Sequence, residues 1–356
     1  MKKAIALLLA LVLCLGLLAA CGPKEGSKPT EDPNKVYEIN VNLTFPEVSA
    51  SGFNKWCEEV VAATGGRVKF NNYYSYSLVA LPDVVKGLQT GLVDMSAVTL
   101  YEYPSIFTLN GNVFGLPFLG WKDEASCSEI YWEMMEECPE LLKEYTDLGL
   151  HYMSGYAMPG YNLFMTKASD MVTPADLKGH KVITVSPAAQ KLLADNGGAP
   201  VSAGPTDYYS NLEKGVADSA ISHINVMGAF GVVPELINKA VFFGDEYSGA
   251  YMYLLGFVFA EDFWNKLPAD IQAVLTEKAP LLGQYCLEAD MALTTVMLGK
   301  LKEKGTEIVV LDDAQVKVWA DALTDYTASE IAEWNKVNPA AESIYNTILN
   351  KIDTKK

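Results

Sequence analysis

Arginine is almost missing from this chain. Arg67 is the only one in 356 residues, so a site needing the planar grip of a guanidinium on a carboxylate has a single residue to draw on. Histidine is scarce as well: His151, His180 and His223 stand apart from cysteines and carboxylates at ligand spacing, and no resident metal is expected. Cys57, Cys127, Cys138 and Cys286 are scattered, which leaves buried thiols and a Cys127–Cys138 bridge equally open. A basic cluster is lacking and the formal charge is −17, which argues against nucleic acid or an acidic surface as partner. The chain has no Gly-x-Ser-x-Gly elbow, phosphate loop or dinucleotide fingerprint. No cofactor and no catalytic residue are therefore expected.

What is present begins at the N-terminus. Lys2 and Lys3 precede an apolar run from Ala4 to Leu18 that is too short for a membrane anchor, so residues 1–20 read as a signal peptide. Leu18-Ala19-Ala20-Cys21 looks like a bacterial lipobox, in which Cys21 would carry lipid and become the mature N-terminus. Two acyl chains on one residue suffice for stable anchoring outside the cytoplasmic membrane. Residues 21–35 are then a polar tether without apolar periodicity. The remainder can bury a large core.

That remainder repeats itself. Leu88-Gln89-Thr90-Gly91-Leu92-Val93-Asp94 returns as Leu212-Glu213-Lys214-Gly215-Val216-Ala217-Asp218. Each copy follows an amphipathic helix, offers a Gly for a left-handed helix end, and leads into a short apolar run. Two such helix-to-strand corners predict two α/β lobes facing each other across a cleft. Lobe one is expected over residues 36–155 with a return segment at about 245–279. Lobe two is expected over residues 156–244 with the C-terminal helices at about 280–350. Pro280 should kink or interrupt the first tail helix.

Several segments together resemble the substrate-binding proteins of tripartite ATP-independent periplasmic (TRAP) transporters, of the C4-dicarboxylate-binding type. They are Thr64-Gly65-Gly66-Arg67-Val68, the first corner, Leu116-Pro117-Phe118, Asp176 to Lys181, Tyr209 to Asp218, and Trp264 to Pro268 with Asp270-Ile271-Gln272. The resemblance implies a two-lobed type II periplasmic-binding-protein fold of the α/β class, with a long helix spanning both lobes. It also implies capture of a small organic ligand and delivery to integral membrane TRAP permease subunits. A ligand-presenting sensor for a receptor kinase and an extracytoplasmic enzyme are the alternatives. Relatives usually clamp the ligand carboxylate with an Arg after the Gly-x-Lys segment; here Gly179-His180-Lys181-Val182 is followed by Ile183. Lys167 or Lys181 could still pair one carboxylate, though Lys lacks the fork.

Ligands of α/β proteins bind beyond the carboxyl ends of strands. That rule nominates Phe45 after the first strand, Tyr74 and Tyr76 after the second, and Thr99 and Tyr101 after the third. Tyr161 lies in the crossover between lobes, Ser186 follows the Lys181 strand, and Ser222, His223 and Asn225 end the strand after the second corner. Tyr247 opens the return segment. Rings beside hydroxyls and amides suit a neutral or aromatic ligand, or a monocarboxylate with a large apolar body, better than a small dicarboxylate.

Overall fold

Two sheets share one plan. The computed structural model describes residues 35–355 except residues 168 and 246, so the signal segment and Cys21 lie outside the described residues. The strands are β1 (Tyr37–Asn42), β2 (Val68–Tyr73), β3 (Met95–Thr99), β4 (Leu150–Ala157), β5 (Tyr161–Met165), β6 (Lys181–Ile183), β7 (Ala199–Val201), β8 (Ser219–His223), β9 (Lys239–Phe243), β10 (Leu254–Ala260) and β11 (Glu307–Leu311). The first sheet runs β2-β1-β3-β10-β4 and the second β11-β9-β5-β8-β6-β7. In each, three parallel strands (β2-β1-β3 and β7-β6-β8) meet one antiparallel strand that has crossed from the other lobe, β10 or β5. Without β11, the second order is the first read backwards.

The repeated corners are where the sequence said they would be. Helices Val84–Gln89 and Tyr208–Glu213 each end two residues before a glycine with positive φ, 73° at Gly91 and 69° at Gly215. A side chain at either glycine would be strained, because the left-handed region costs an L-residue about 1–2 kcal/mol. The reversal delivers β3 and β8 into the middle of their sheets. Both strands are then buried almost end to end, as strands covered on both faces must be.

Helix Ala269–Lys304 joins the lobes. It packs on helix Ser51–Ala63 and on β4 in lobe one, and on helix Ile224–Ala229 in lobe two. Its buried stripe reads Ile271, Leu275, Ala279, Leu282, Cys286 and Leu287, then resumes at Thr294, Met297, Leu298 and Leu301. Residues 288–293 between the two stretches are not buried. There the helix bridges from one lobe's core to the other.

Three expectations need correction. Of the two outcomes expected at Pro280, interruption does not occur, and the long helix continues from Ala269 to Lys304; packing along both lobes outweighs one missing backbone donor. The C-terminal helices do not all go with lobe two. Ala341–Thr354 sets Ile344, Ile348 and Ile352 into the lobe-one core beside Leu109, Val113 and Ile130, because its apolar face matches a surface that residues 36–155 leave open. The strand after the second corner stops at His223, and a helix, Ile224–Ala229, follows at once. The edge strand β11 was not anticipated. The described cysteines are all free thiols.

Candidate functional site

A cavity of about 150 Å³ lies where the strand ends of the two sheets converge. From lobe one come Phe45, Tyr76, Thr99, Tyr101, Glu102 and Tyr156; from lobe two come Tyr161, Thr206, Tyr208, Ser222, His223 and Asn225; Asp290 closes it from the long helix. A cavity of this size accepts a benzene ring.

Backbone geometry puts Tyr76 into it. Ser75 and Tyr76 both sit in the left-handed region, with φ of 51° and 58°. Their amides are held by the Phe45 carbonyl at 3.1 Å and the Leu43 carbonyl at 2.9 Å. Non-glycine residues held there cost about 1–3 kcal/mol each and concentrate at binding sites. The loop after β2 is bent so that the Tyr76 hydroxyl meets Thr99 Oγ1 at 3.5 Å, with Thr44 Oγ1 at 3.3 Å from the same atom.

The far wall is a stack of rings. Tyr161 lies 4.8 Å from Tyr251 and 5.1 Å from Tyr253 between centroids, Tyr101 stacks on Tyr253 at 4.0 Å, and the His223 ring leans on Tyr161 at 5.3 Å. Burial holds the Tyr101 and Tyr161 hydroxyls well above their ordinary pKa and pushes Tyr76 and Tyr208 to about 12, so all four stay protonated and can donate. Burial also pushes His223 down to about 4, which keeps the imidazole neutral near pH 7. His223 Nδ1 and Ser222 Oγ are both shut off from solvent without a hydrogen-bond partner of good geometry. Buried polar atoms are nearly always paired, and Ser222 is close enough to the Tyr208 hydroxyl for a hydrogen bond that limits the rise of that group.

The floor carries charge. Tyr156 donates to Asp290 Oδ2 at 2.9 Å, while Asn225 Nδ2 donates to the Asp290 carbonyl at 2.9 Å and to Oδ1 at 3.3 Å. Thr294 Oγ1 donates to Asn225 Oδ1 at 3.1 Å, so the amide is oriented. Burial raises Asp290 to about 6 against the lowering effect of these donors, and it raises Glu102 against the Tyr101 hydroxyl. Both carboxyls line the cavity, and none of its lining residues is Lys or Arg.

The residues nominated from the sequence divide. Phe45, Tyr76, Thr99, Tyr101, Tyr161, Ser222, His223 and Asn225 meet in the cavity. Ser186 lines a neighbouring cavity of about 310 Å³ that shares Tyr101 and Glu102, and its hydroxyl accepts from the Ala189 amide at 3.3 Å as a helix cap. Tyr74 turns away to Asn54 at 3.2 Å, and Tyr247 reaches Thr295 on the outer side of the long helix at 3.1 Å. Ile183 is fully buried with Phe164, Leu212, Ala217 and Met227 and does not reach the cavity. Lys167 and Lys181 are exposed, Lys181 Nζ donating to the Gly215 carbonyl at 2.6 Å, so neither supplies a charge inside. Arg67 is paired with Asp270.

Sequence reasoning missed Glu102, Tyr156, Tyr208 and Asp290. Glu102 is one residue past Tyr101 and obeys the same strand-end rule. Asp290 had a signal too, since it stands four residues from Cys286 and four from Thr294, in register with the buried stripe of the long helix though itself half-buried. A carboxylate on that stripe marks either a paired charge or a cavity.

The chain matches bacterial extracellular solute-binding protein, family 7, over residues 43–333. It belongs to that family. A solute-binding protein of Albidiferax ferrireducens is 24% identical over 268 residues, 74% of this chain and 75% of the relative. Among solved structures, a marine metagenome TRAP solute-binding protein specific for aromatic acid ligands, in complex with 3-hydroxybenzoate, superposes with a TM-score of 0.78 at 20% identity, over 90% of this chain and 99% of the other. A TRAP periplasmic solute-binding protein from Chromohalobacter salexigens with bound D-glucuronate gives 0.76 at 19% identity, over 88% and 99%. Family 7 membership and the two-lobed fold agree with the cavity lying between the sheets. Members capture small organic solutes for transport outside the cytoplasm. The two neighbours hold chemically different ligands on one fold, so the fold does not name the solute.

Proposed function

We propose that this chain is the extracytoplasmic capture component of a TRAP-type transporter, anchored by lipid on Cys21, and that it delivers a neutral or aromatic solute to integral membrane permease subunits. Binding and release, without chemical turnover, is the activity. Lobe closure over the solute would proceed about the crossing strands. The observation that carries the ligand class is the wall of the cavity: tyrosine rings and hydroxyl or amide donors from both lobes, with no Lys or Arg among them. A small dicarboxylate entering it would lose its hydration without a matching cation, which is costly in a largely dry site. The likeness to an aromatic-acid binder supports a ring-sized body but not the acid group.

The test is a thermal-shift screen against C4-dicarboxylates, sugar acids, aromatic acids, aromatic neutrals and polyols. Saturable stabilisation by ring-bearing or uncharged compounds is expected. Saturable stabilisation by succinate at micromolar concentration would refute the ligand class.

A further inference from the structure

Taking the cavity as the ligand site, its charge goes further than the absence of a clamp. Glu102 enters from the end of β3 and Asp290 from the long helix, and no cationic side chain lines the space they share. Asp290 is held in place by Tyr156 from lobe one and Asn225 from lobe two, so its carboxylate is fixed and not free to swing out to solvent. The remaining titratable groups of the lining are His223, neutral near pH 7, and the protonated tyrosines. Nothing inside compensates two acids.

Ligand carboxylate would therefore meet like charge, whereas a cation would meet acids and a lining rich in tyrosine. Cations bind over tyrosine faces within about 6 Å of the centroid, more strongly when desolvated. The whole-chain charge of −17 draws cations toward the protein as well. We infer that the solute carries a protonated amine or quaternary ammonium group, drawn by the acidic lining that Glu102 and Asp290 give the cavity, on a body of about one aromatic ring.

Three probes of one shape isolate the charge: 2-phenylethylamine, 2-phenylethanol and phenylacetate, titrated calorimetrically into the full chain in detergent at pH 7.5. The amine is expected to bind at least about tenfold tighter than the alcohol, as a charge-assisted contact requires, and phenylacetate weakest. Asp290→Asn and, separately, Glu102→Gln should each lower amine affinity more than alcohol affinity, with thermal melting showing that each variant folds. Phenylacetate binding as tightly as the amine would overturn the charge inference and leave the cavity as the ligand site. Failure of all three to bind would overturn both.

Discussion

Asp94 and Asp218 hold the two corners in the same way. Asp94 Oδ2 accepts from the Asn40 amide of the neighbouring strand at 2.8 Å, and the Asp94 amide donates back to the Asn40 carbonyl at 3.1 Å. Asp218 repeats the exchange with Lys181, at 3.0 Å and 2.9 Å. Each carboxylate thus satisfies a strand amide that no ladder partner reaches, and ties the incoming strand to the middle of its sheet. Removing either, by Asp94→Ala or Asp218→Ala, should cost about 1–3 kcal/mol. Denaturant unfolding measures it, and a change below a few tenths would show that the corner tie is dispensable.

Ile183→Arg supplies the arginine that the family resemblance leads one to expect here, yet it should not create acid binding. The side chain at this position is enclosed among Phe164, Leu212, Ala217 and Met227. A guanidinium there is a buried charge without a partner, and a loss of about 3–5 kcal/mol in stability is expected. Chemical denaturation together with a succinate titration checks both halves. A stable variant that binds succinate would show that the position can open onto the cleft.

Glu124 is fully buried, and neither of its carboxylate oxygens has a hydrogen-bond partner. Burial raises its pKa to about 7, with Asp290, Asp123 and Asp245 adding to the rise. A raised acid is better protonated in the fold than in the unfolded chain, so this group weakens the fold as pH climbs from about 4.5 to 7 and leaves the full cost in place above that. Glu124→Gln should gain roughly 3 kcal/mol at pH 8 and nothing at pH 4. Melting temperatures of both proteins across that range decide it; an equal difference at every pH would mean that titration is not the cause.

Cys21→Ala should move the protein from the membrane fraction to the soluble one without changing its melting temperature. Retention of the variant in membranes would remove the lipid-anchor assignment.

Tyr161→Leu should weaken ring-bearing solutes by about tenfold, since an aromatic contact is worth about 0.5–1.5 kcal/mol beyond its area and the variant also loses a hydroxyl donor. Calorimetric titration of 2-phenylethylamine and 2-phenylethanol measures the loss, and unchanged affinity would place the ligand elsewhere.

Sequence alone determined the two corners and many of the residues that line the cavity. Those features rest on local physics. Gly91 and Gly215 are readable because a left-handed helix end needs glycine, and Phe45, Thr99, Tyr101 and His223 because strand ends carry their side chains to one rim. Tertiary structure alone decided the rest. Tyr74 and Tyr76 are two residues apart in one loop, and only the left-handed turn at Ser75 and Tyr76 sends one to Thr99 and leaves the other on Asn54. Ile183 stands where the resemblance led one to expect a clamp, but the core that forms around Met227 and Leu212 claims it. Asp290 lies 134 residues from Tyr156 and 65 from Asn225. Its place in the cavity exists only because one long helix crosses from one lobe's core to the other.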